Sequence, residues 1–185
     1  LRPRGIDALP APGTGHGAGG EGDASAPAPA AALDACPFWP SETPPAIAKA
    51  ARLTALDLSS NDVLSAKGAA WLAASAAASE SLRRLDLSGN RFGCAGARCI
   101  ARGIRSGARI QELGLNACAI GDAGAASLVA AAAAHGALRT LSLGRNEFAI
   151  APVADAVARA LVENHALSRL DLRCAQRLAP LAGAP

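Results

Sequence analysis

Apolar and polar residues alternate along the chain at a spacing that recurs. In the segment "LRRLDLSGNRF", which begins at Leu82, the apolar residues Leu85 and Leu87 are separated by Asp86. Alternation over so few residues is typical of a strand, because successive side chains of a strand point to opposite faces. The pattern predicts a short strand with both leucines inward and the aspartate outward.

Four further segments carry the same spacing. They are "LTALDLSSNDV" from Leu53, "IQELGLNACAI" from Ile110, "LRTLSLGRNEF" from Leu138 and "LSRLDLRCAQR" from Leu167. Successive copies begin 29, 28, 28 and 29 residues apart. A fixed period in this range indicates a stacked repeat, in which each unit adds one strand to a parallel sheet.

The residues between these segments have helical spacing. Gly68, Gly96 and Gly124 are expected to open helices, and Pro152 suits the first turn of a fourth helix. The inward positions form pairs four residues apart, Leu72 with Ala76, Ile100 with Ile104, Leu128 with Ala132 and Val157 with Leu161. Each unit therefore reads as strand, turn and helix.

One position in each turn calls for a side chain that both donates and accepts hydrogen bonds. The chain leaves the sheet there, so backbone groups lose their strand partners and need others. Asn61, Asn90 and Asn146 occupy this position, with the weaker substitute Cys118 in the third unit. Ala175 can do neither, so the fifth unit is degenerate. We expect a structural ladder of turn residues along the repeats.

The ends of the chain differ from the repeats. Residues 1–44 are rich in Gly, Pro and Ala, and we predict a disordered tail or linker, because few large apolar residues are available to offset the entropy of ordering. Residues 45–185 form the predicted solenoid, which starts with a half-repeat helix over 45–51. We expect Phe38 and Trp39 to cover one open end, and further repeats or a partner to cover the other.

The repeated unit closely resembles the ribonuclease-inhibitor class of leucine-rich repeats. The resemblance rests on the leucine spacing, the Asn or Cys at the turn and the following helix, and it covers residues 46–176. It implies an α/β fold, a curved solenoid with parallel strands on the concave face and helices on the convex face. The class includes ribonuclease inhibitors, sensor regions of NOD-like receptors, Ran GTPase activators and tropomodulins, and it implies binding of protein surfaces.

Outward strand positions and the turns after them are the candidate partner-binding residues. Neighbouring strands lie about 4.8 Å apart, so these polar side chains form one continuous surface. They are Asp57, Ser59, Arg84, Asp86, Ser88, Glu112, Asn116, Arg145, Arg169, Asp171 and Arg173. We expect a non-catalytic protein-protein interaction scaffold, a subunit or recruiting module of a larger assembly.

Two other functions remain open. Arg98, Arg102, Arg105 and Arg109 predict a basic stripe on the convex side, which favours a ribonucleoprotein subunit that contacts RNA phosphates. Residues 46–185 carry 16 basic and 10 acidic side chains, in keeping with such a contact. The alternative is a small-GTPase activator of the Ran-activator type, which would act through the loops around Asn61, Arg91 and Arg145.

Catalytic and cofactor chemistry finds little support in the sequence. Nucleophile-elbow, phosphate-loop and zinc-protease motifs are all missing, so we expect no enzyme, no cofactor and no metal. His135 and His165 are interpreted as exposed loop residues. The five cysteines form no Cys-x-x-Cys pair, the chain opens with no secretory signal, and no apolar run is long enough to span a membrane. We therefore expect reduced thiols and a cytoplasmic location.

Overall fold

The computed structural model describes residues 36, 38–41, 50, 52–61 and 64–173. Strands and helices alternate throughout the described repeats. The strands are β1 (Ala55–Asp57), β2 (Arg84–Asp86), β3 (Glu112–Gly114), β4 (Thr140–Ser142) and β5 (Arg169–Asp171). The helices are α1 (Ala66–Ala77), α2 (Gly93–Arg105), α3 (Asp122–Ala134) and α4 (Ile150–Glu163). Most of the predicted leading helix, and Ala175, lie outside the described residues.

The five strands form one parallel sheet in chain order. Leu56, Leu85, Leu113, Leu141 and Leu170 stand side by side in its register. Parallel strands lie about 4.8 Å apart, whereas packed helices need 8–10 Å, so the stack curves with the sheet on its inner side. The predicted α/β solenoid, with strands on the concave face and helices on the convex face, is confirmed.

The core lies between the sheet and the helices. Leu85, Leu113 and Leu141 are almost completely buried, and alanines fill most of the helix side of the core. Small residues let the helices approach closely. A Cβ on Gly103 would lie 2.8 Å from the carbonyl oxygen of Ala73, so α2 packs directly on the backbone of α1.

The inward face of helix α4 is not the one that the sequence pattern predicted, which included Leu161. Leu161 is 68% exposed, and α4 buries Val153 and Ala160 instead. These two residues are seven positions apart, or two helical turns, which places Leu161 on the flank of the helix. The flank at this end of the stack has no following helix among the described residues, and it also leaves Val162 exposed.

The turns from helix to strand carry a second row of side-chain hydrogen bonds. In three units the residue three positions before the leading leucine accepts the leucine's N–H, and these residues are Ser79, His135 and Asn164. His135 also bonds the carbonyl of Ala108, and Asn164 donates to the carbonyls of Ala132 and His135. His135 is therefore a half-buried link between repeats, and its interpretation as an exposed loop residue is wrong.

Part of the segment predicted as a tail packs on the helices. Cys36 is 8% exposed and forms a disulfide with the fully buried Cys99 of α2, so the expectation of reduced thiols is wrong for this pair. Trp39 packs against the same cluster, next to Ala70 of α1. Phe38 is 41% exposed. No helix among the described residues has the length and apolar character needed to cross a membrane.

Candidate functional site

The concave surface is built by the outward positions of the five strands. The first position of each strand carries Ala55, Arg84, Glu112, Thr140 and Arg169, and the third carries Asp57, Asp86, Gly114, Ser142 and Asp171. The inward leucine between them fixes both orientations, because side chains alternate along a strand. The structure thus brings the predicted strand residues onto one surface, and Gly114, Thr140 and Ser142 complete it.

Arg84 and Glu112 form an ion pair across β2 and β3. Arg84 Nε donates to Glu112 Oε2 at 2.6 Å, and Nη2 donates to Oε1 at 3.0 Å. The hydrogen bonds from Arg84 lower the pKa of Glu112, and the same contact raises the pKa of Arg84. Both side chains remain about half exposed or more, so the pair contributes orientation to the surface more than stability.

The aspartates at the third strand position hold the chain as it leaves the sheet. Asp57, Asp86 and Asp171 each accept the backbone N–H two residues later, a turn that aspartate favours. The hydrogen bond from the Ser59 backbone lowers the pKa of Asp57. Hydrogen bonds from the Arg173 side chain lower the pKa of Asp171 to about 2. The Asp57 and Asp171 carboxylates therefore carry full negative charge at neutral pH.

Gly114 lets the Asp86 carboxylate extend over the third strand. A Cβ on Gly114 would lie 2.5 Å from Asp86 Oδ1. The missing side chain leaves room for the carboxylate on the concave surface, beside Ser142 in the same shallow depression.

The turn residues link successive units through their side chains. Asn90 Nδ2 donates to the carbonyls of Leu58 and Leu87 at 2.8 and 2.9 Å. Asn146 makes the corresponding bonds two units later. Between them the Cys118 thiol bonds the carbonyl of Leu87 at 3.4 Å. Asn61 is exposed, and among the described residues its side chain bonds the carbonyl of Ser59 in its own turn, at 3.4 Å.

A crevice of about 480 Å³ opens where the chain turns away from the sheet. Small residues such as Gly89, Ala117 and Gly144 shape it. The Asn116 side chain crosses to the next turn, where its Oδ1 accepts the Gly144 N–H at 2.8 Å. Polar groups from Ser60, Ser88, Asn116, Arg145, Asp171 and Arg173 line the crevice. The carboxyl ends of parallel strands are a common place for ligand crevices in α/β folds.

Sequence reasoning named Arg145 but missed Ser60, Gly89, Ala117 and Gly144 of this crevice. Ser60, Gly89, Ala117 and Arg145 all adopt a left-handed backbone conformation with φ between 53° and 76°. They occupy one position of the repeat, the residue directly before the turn ladder. Their identities differ too much for composition to reveal the shared role, although the repeat position would have identified it.

The convex arginines lie in different surroundings. Arg98, Arg102 and Arg105 are on α2, and Arg109 follows the helix. Arg98 is half-buried, and its Nε is buried without a hydrogen-bond partner among the described residues. The guanidinium of Arg102 lies 4.7 Å from the centre of the Trp39 ring, which contributes a cation-π contact.

Among the described residues, neither the Cys118 thiol nor the acidic groups form a recognisable reactive site. Burial raises the pKa of the Cys118 thiol to about 11, which keeps it protonated at neutral pH. Within the described ranges, no group of three or more His, Cys, Asp or Glu side chains is placed to hold a metal ion.

Comparison with known proteins supports the same fold. A family model described as "Leucine Rich repeat" matches residues 52–73 and 78–101. Sequence comparison with curated proteins finds no match. The solved structure of leiomodin-1 actin-binding site 2 superposes with a TM-score of 0.60 at 16% identity, covering 69% of this chain and 75% of that one. The tropomodulin C-terminal domain of Caenorhabditis elegans superposes with a TM-score of 0.62 at 14% identity, covering 72% and 84%.

The matched units and the structure agree on one repeating arrangement. The family model covers the units of β1 and β2, and the units that follow repeat the same order of strand, turn and helix in the same register. The two solved structures are only 14% and 16% identical to this chain, so their similarity supports the fold and nothing further. The fold is therefore that of a leucine-rich repeat, and the family model matches its first two units.

Proposed function

We propose that this chain is a non-catalytic scaffold that binds a partner protein through its concave surface, as a subunit or recruiting module of a larger assembly. The supporting observation is the uneven distribution of unpaired charge on that surface. Leucine-rich-repeat domains commonly mediate protein-protein interaction, and an extended concave surface suits that use.

The two ends of the concave surface carry opposite charge. At the β1 and β2 end, Asp57 and Asp86 have no ion pair with any described residue. At the other end, Arg145 has neither a hydrogen bond nor an ion pair from its guanidinium within the described chain, and Arg169 interacts with Asp171 only at longer range. Four strand spacings separate β1 from β5, about 19 Å.

This polarity predicts the chemistry of the partner. A complementary surface presents basic groups to Asp57 and Asp86 and acidic groups to Arg145 and Arg169. Charges arranged in this way orient the partner and raise the association rate more than they raise affinity. The crevice beside Arg145 offers a place for an acidic side chain of the partner, with the Ser88 hydroxyl and the Asn116 amide as further polar groups.

The similar solved structures support a protein as the ligand class. The leiomodin-1 domain that shares this fold is actin-binding site 2 of that protein. Actin is therefore one candidate to include in the test. The cytoplasmic location stays a prediction, and the Cys36–Cys99 disulfide weighs against it because cytosolic proteins rarely keep disulfides.

The test is affinity capture with the full chain and two charge variants. The concave variant combines Arg145→Glu with Arg169→Glu. The matched control combines Arg109→Glu with Arg159→Glu, two exposed arginines outside the concave surface. We expect parent and control to capture the same proteins, and the concave variant to recover them at least about tenfold less, because reversing a contact charge replaces attraction with repulsion.

Other outcomes would favour the alternatives and overturn the proposal. Equal recovery by both variants would exclude the concave charges. Recovery of nucleic acid that added salt removes would favour the ribonucleoprotein role. Faster GTP hydrolysis by a captured GTPase would favour the activator role, acting through the loops at Asn61, Arg91 and Arg145. Actin pelleting with the same three proteins decides whether actin is the partner.

A further inference from the structure

The described residues before the first repeat form a short strap on the convex side. We define the strap as Cys36 and residues 38–41. Cys36 and Trp39 pack in one cluster with Ala70 of α1 and Cys99 of α2. The strap therefore lies on the two neighbouring helices. Within the described ranges it is held by the disulfide, by the Trp39 contact with Arg102 and by the packing of Trp39 against the core.

Among the contacts of the described residues, the disulfide is the one covalent attachment of the strap to the repeats. Within the part of the chain that the structure describes, the strap's one backbone hydrogen bond joins Trp39 to Cys36, and no hydrogen bond joins it to a repeat. Without the disulfide, the contacts of the strap among the described residues are the cation-π contact of Trp39 with Arg102 and the packing of the half-buried Trp39 ring against the core. Segments held by so few contacts open at low free-energy cost.

The repeats beneath the strap also pack directly on one another. Helices α1 and α2 meet directly where Gly103 packs on the backbone of Ala73. Leu85 and Leu87, from the sheet side, are buried in the core between the sheet and these helices. Ile100 and Ile104 of α2 are buried in the same core from the helix side. Loss of the strap would leave these contacts unchanged.

We infer that the Cys36–Cys99 disulfide is a redox latch, which holds the strap over α1 and α2 when oxidised and releases it when reduced. Release frees the guanidinium of Arg102 and exposes the Cys99 face of α2. The latch thus controls access to the convex side, independently of the concave surface in the proposed function.

The chemistry requires a dithiol reductant. Because Cys99 is fully buried and Cys36 keeps some exposure, a thiolate of the reductant attacks the Cys36 sulfur and displaces Cys99 as a thiolate, which takes up a proton. The second thiol of the reductant then attacks the mixed disulfide and frees Cys36. Two hydrogens pass to the protein, and the reductant is oxidised to its own disulfide.

Tryptophan fluorescence of the full chain tests the latch. The chain has two tryptophans, Trp39 and the exposed Trp71, so Trp71→Phe leaves Trp39 as the single reporter. We expect dithiothreitol to raise acrylamide quenching of Trp39 at least about twofold while the far-UV circular dichroism is unchanged, as expected for a local opening. With Cys36→Ser added, acrylamide quenching of Trp39 should be as high without reductant as it is in the reduced parent. Adding Cys94→Ser, at a thiol outside the disulfide, should leave the response intact.

Three results would overturn the latch. One is unchanged quenching after mass spectrometry has shown full reduction, since the strap would then stay in place without the bond. Another is loss of the circular dichroism signal on reduction, because the disulfide would then support the whole solenoid. The third is an oxidised chain in which no peptide pair linked through Cys36 and Cys99 is found.

Discussion

The side chain of Asn146 links its own turn to that of Cys118 in the preceding repeat. Asn146 Oδ1 accepts the Cys118 N–H at 2.8 Å, and Nδ2 donates to the carbonyls of Leu115 and Leu143, both at 2.8 Å. Asn146 is 3% exposed, so water cannot replace these bonds. One amide group thus satisfies buried backbone groups of two successive turns.

Replacing Asn146 by alanine should destabilise the protein strongly. Asn146→Ala leaves several buried backbone groups without partners, each at a cost of about 1–3 kcal/mol, and we expect a total loss of about 3 kcal/mol. Asn61→Ala is the matched control, because Asn61 is exposed and makes one long bond; its effect should stay within about 0.5 kcal/mol. Urea unfolding of both variants measures the difference, and equal losses would contradict the ladder.

Gly103 should not tolerate a methyl group. The added Cβ would contact backbone and Cβ atoms of Ala73 at under 3 Å, and backbone atoms of a packed helix cannot move aside easily. We expect Gly103→Ala to cost about 1–3 kcal/mol through overpacking. Gly136→Ala, where the added Cβ meets no atom within 4 Å, should be neutral or slightly stabilising. Thermal unfolding compares the two substitutions, and an equally mild effect at Gly103 would contradict direct packing of α1 and α2.

Cys118 should make stability fall in alkaline solution. Its pKa is about 11 in the folded chain against an ordinary value of 9.0, because burial disfavours the thiolate. Below pH 9 the thiol is protonated in both states, and between pH 9 and 11 the unfolded chain loses its proton first, which favours unfolding.

Between pH 8 and 10.5 this difference amounts to about 2 kcal/mol. Cys118→Ser has no such group, so the loss of stability over this interval should be smaller by that amount in the variant. Urea unfolding at the two pH values measures both losses. Parallel pH dependence of the parent and the variant would show that the Cys118 thiolate is not disfavoured by folding.

Asn164 should matter for stability although it lies at the other end of the repeat unit. It is 8% exposed, accepts the N–H groups of Ala166 and Leu167, and donates to two carbonyls of the preceding unit. We expect Asn164→Ala to cost about 2–3 kcal/mol. The exposed neighbour His165 provides the control, His165→Ala, with an effect within about 0.5 kcal/mol. Similar unfolding midpoints for the two variants would refute the role of this turn.

The strands could be predicted from the sequence because their pattern depends on residue type. Leu85 and Leu87 must be large and apolar to fill the core, so the spacing is visible in every unit. The turn position of Asn90 and Asn146 follows the same logic, since few side chains both donate and accept. The side-chain hydrogen bonds of the helix-to-strand turns were missed. Ser79, His135 and Asn164 occupy the same repeat position and each offers an acceptor atom, but they are three different residue types.

Two features could not be predicted from local sequence patterns: which face of α4 points into the core, and the pairing of Cys36 with Cys99. Both depend on how distant segments pack together. In α4, alanines on several sides reduce the contrast between inward and outward faces, so Leu161 was expected inside although Ala160 is buried there. Cys36 and Cys99 are 63 residues apart, and Cys36 falls in a segment with little hydrophobic patterning. Their pairing follows from where that segment packs on α1 and α2.

Site-specific photo-cross-linking measures whether the concave surface contacts the partner protein. A photoreactive phenylalanine replaces Ser142, at the centre of the concave surface, or Ala158, which is exposed on α4. After irradiation with the captured partner, we expect a covalent adduct from position 142 and none from position 158. An adduct from position 158 alone would place the partner on the convex side and contradict the proposed function.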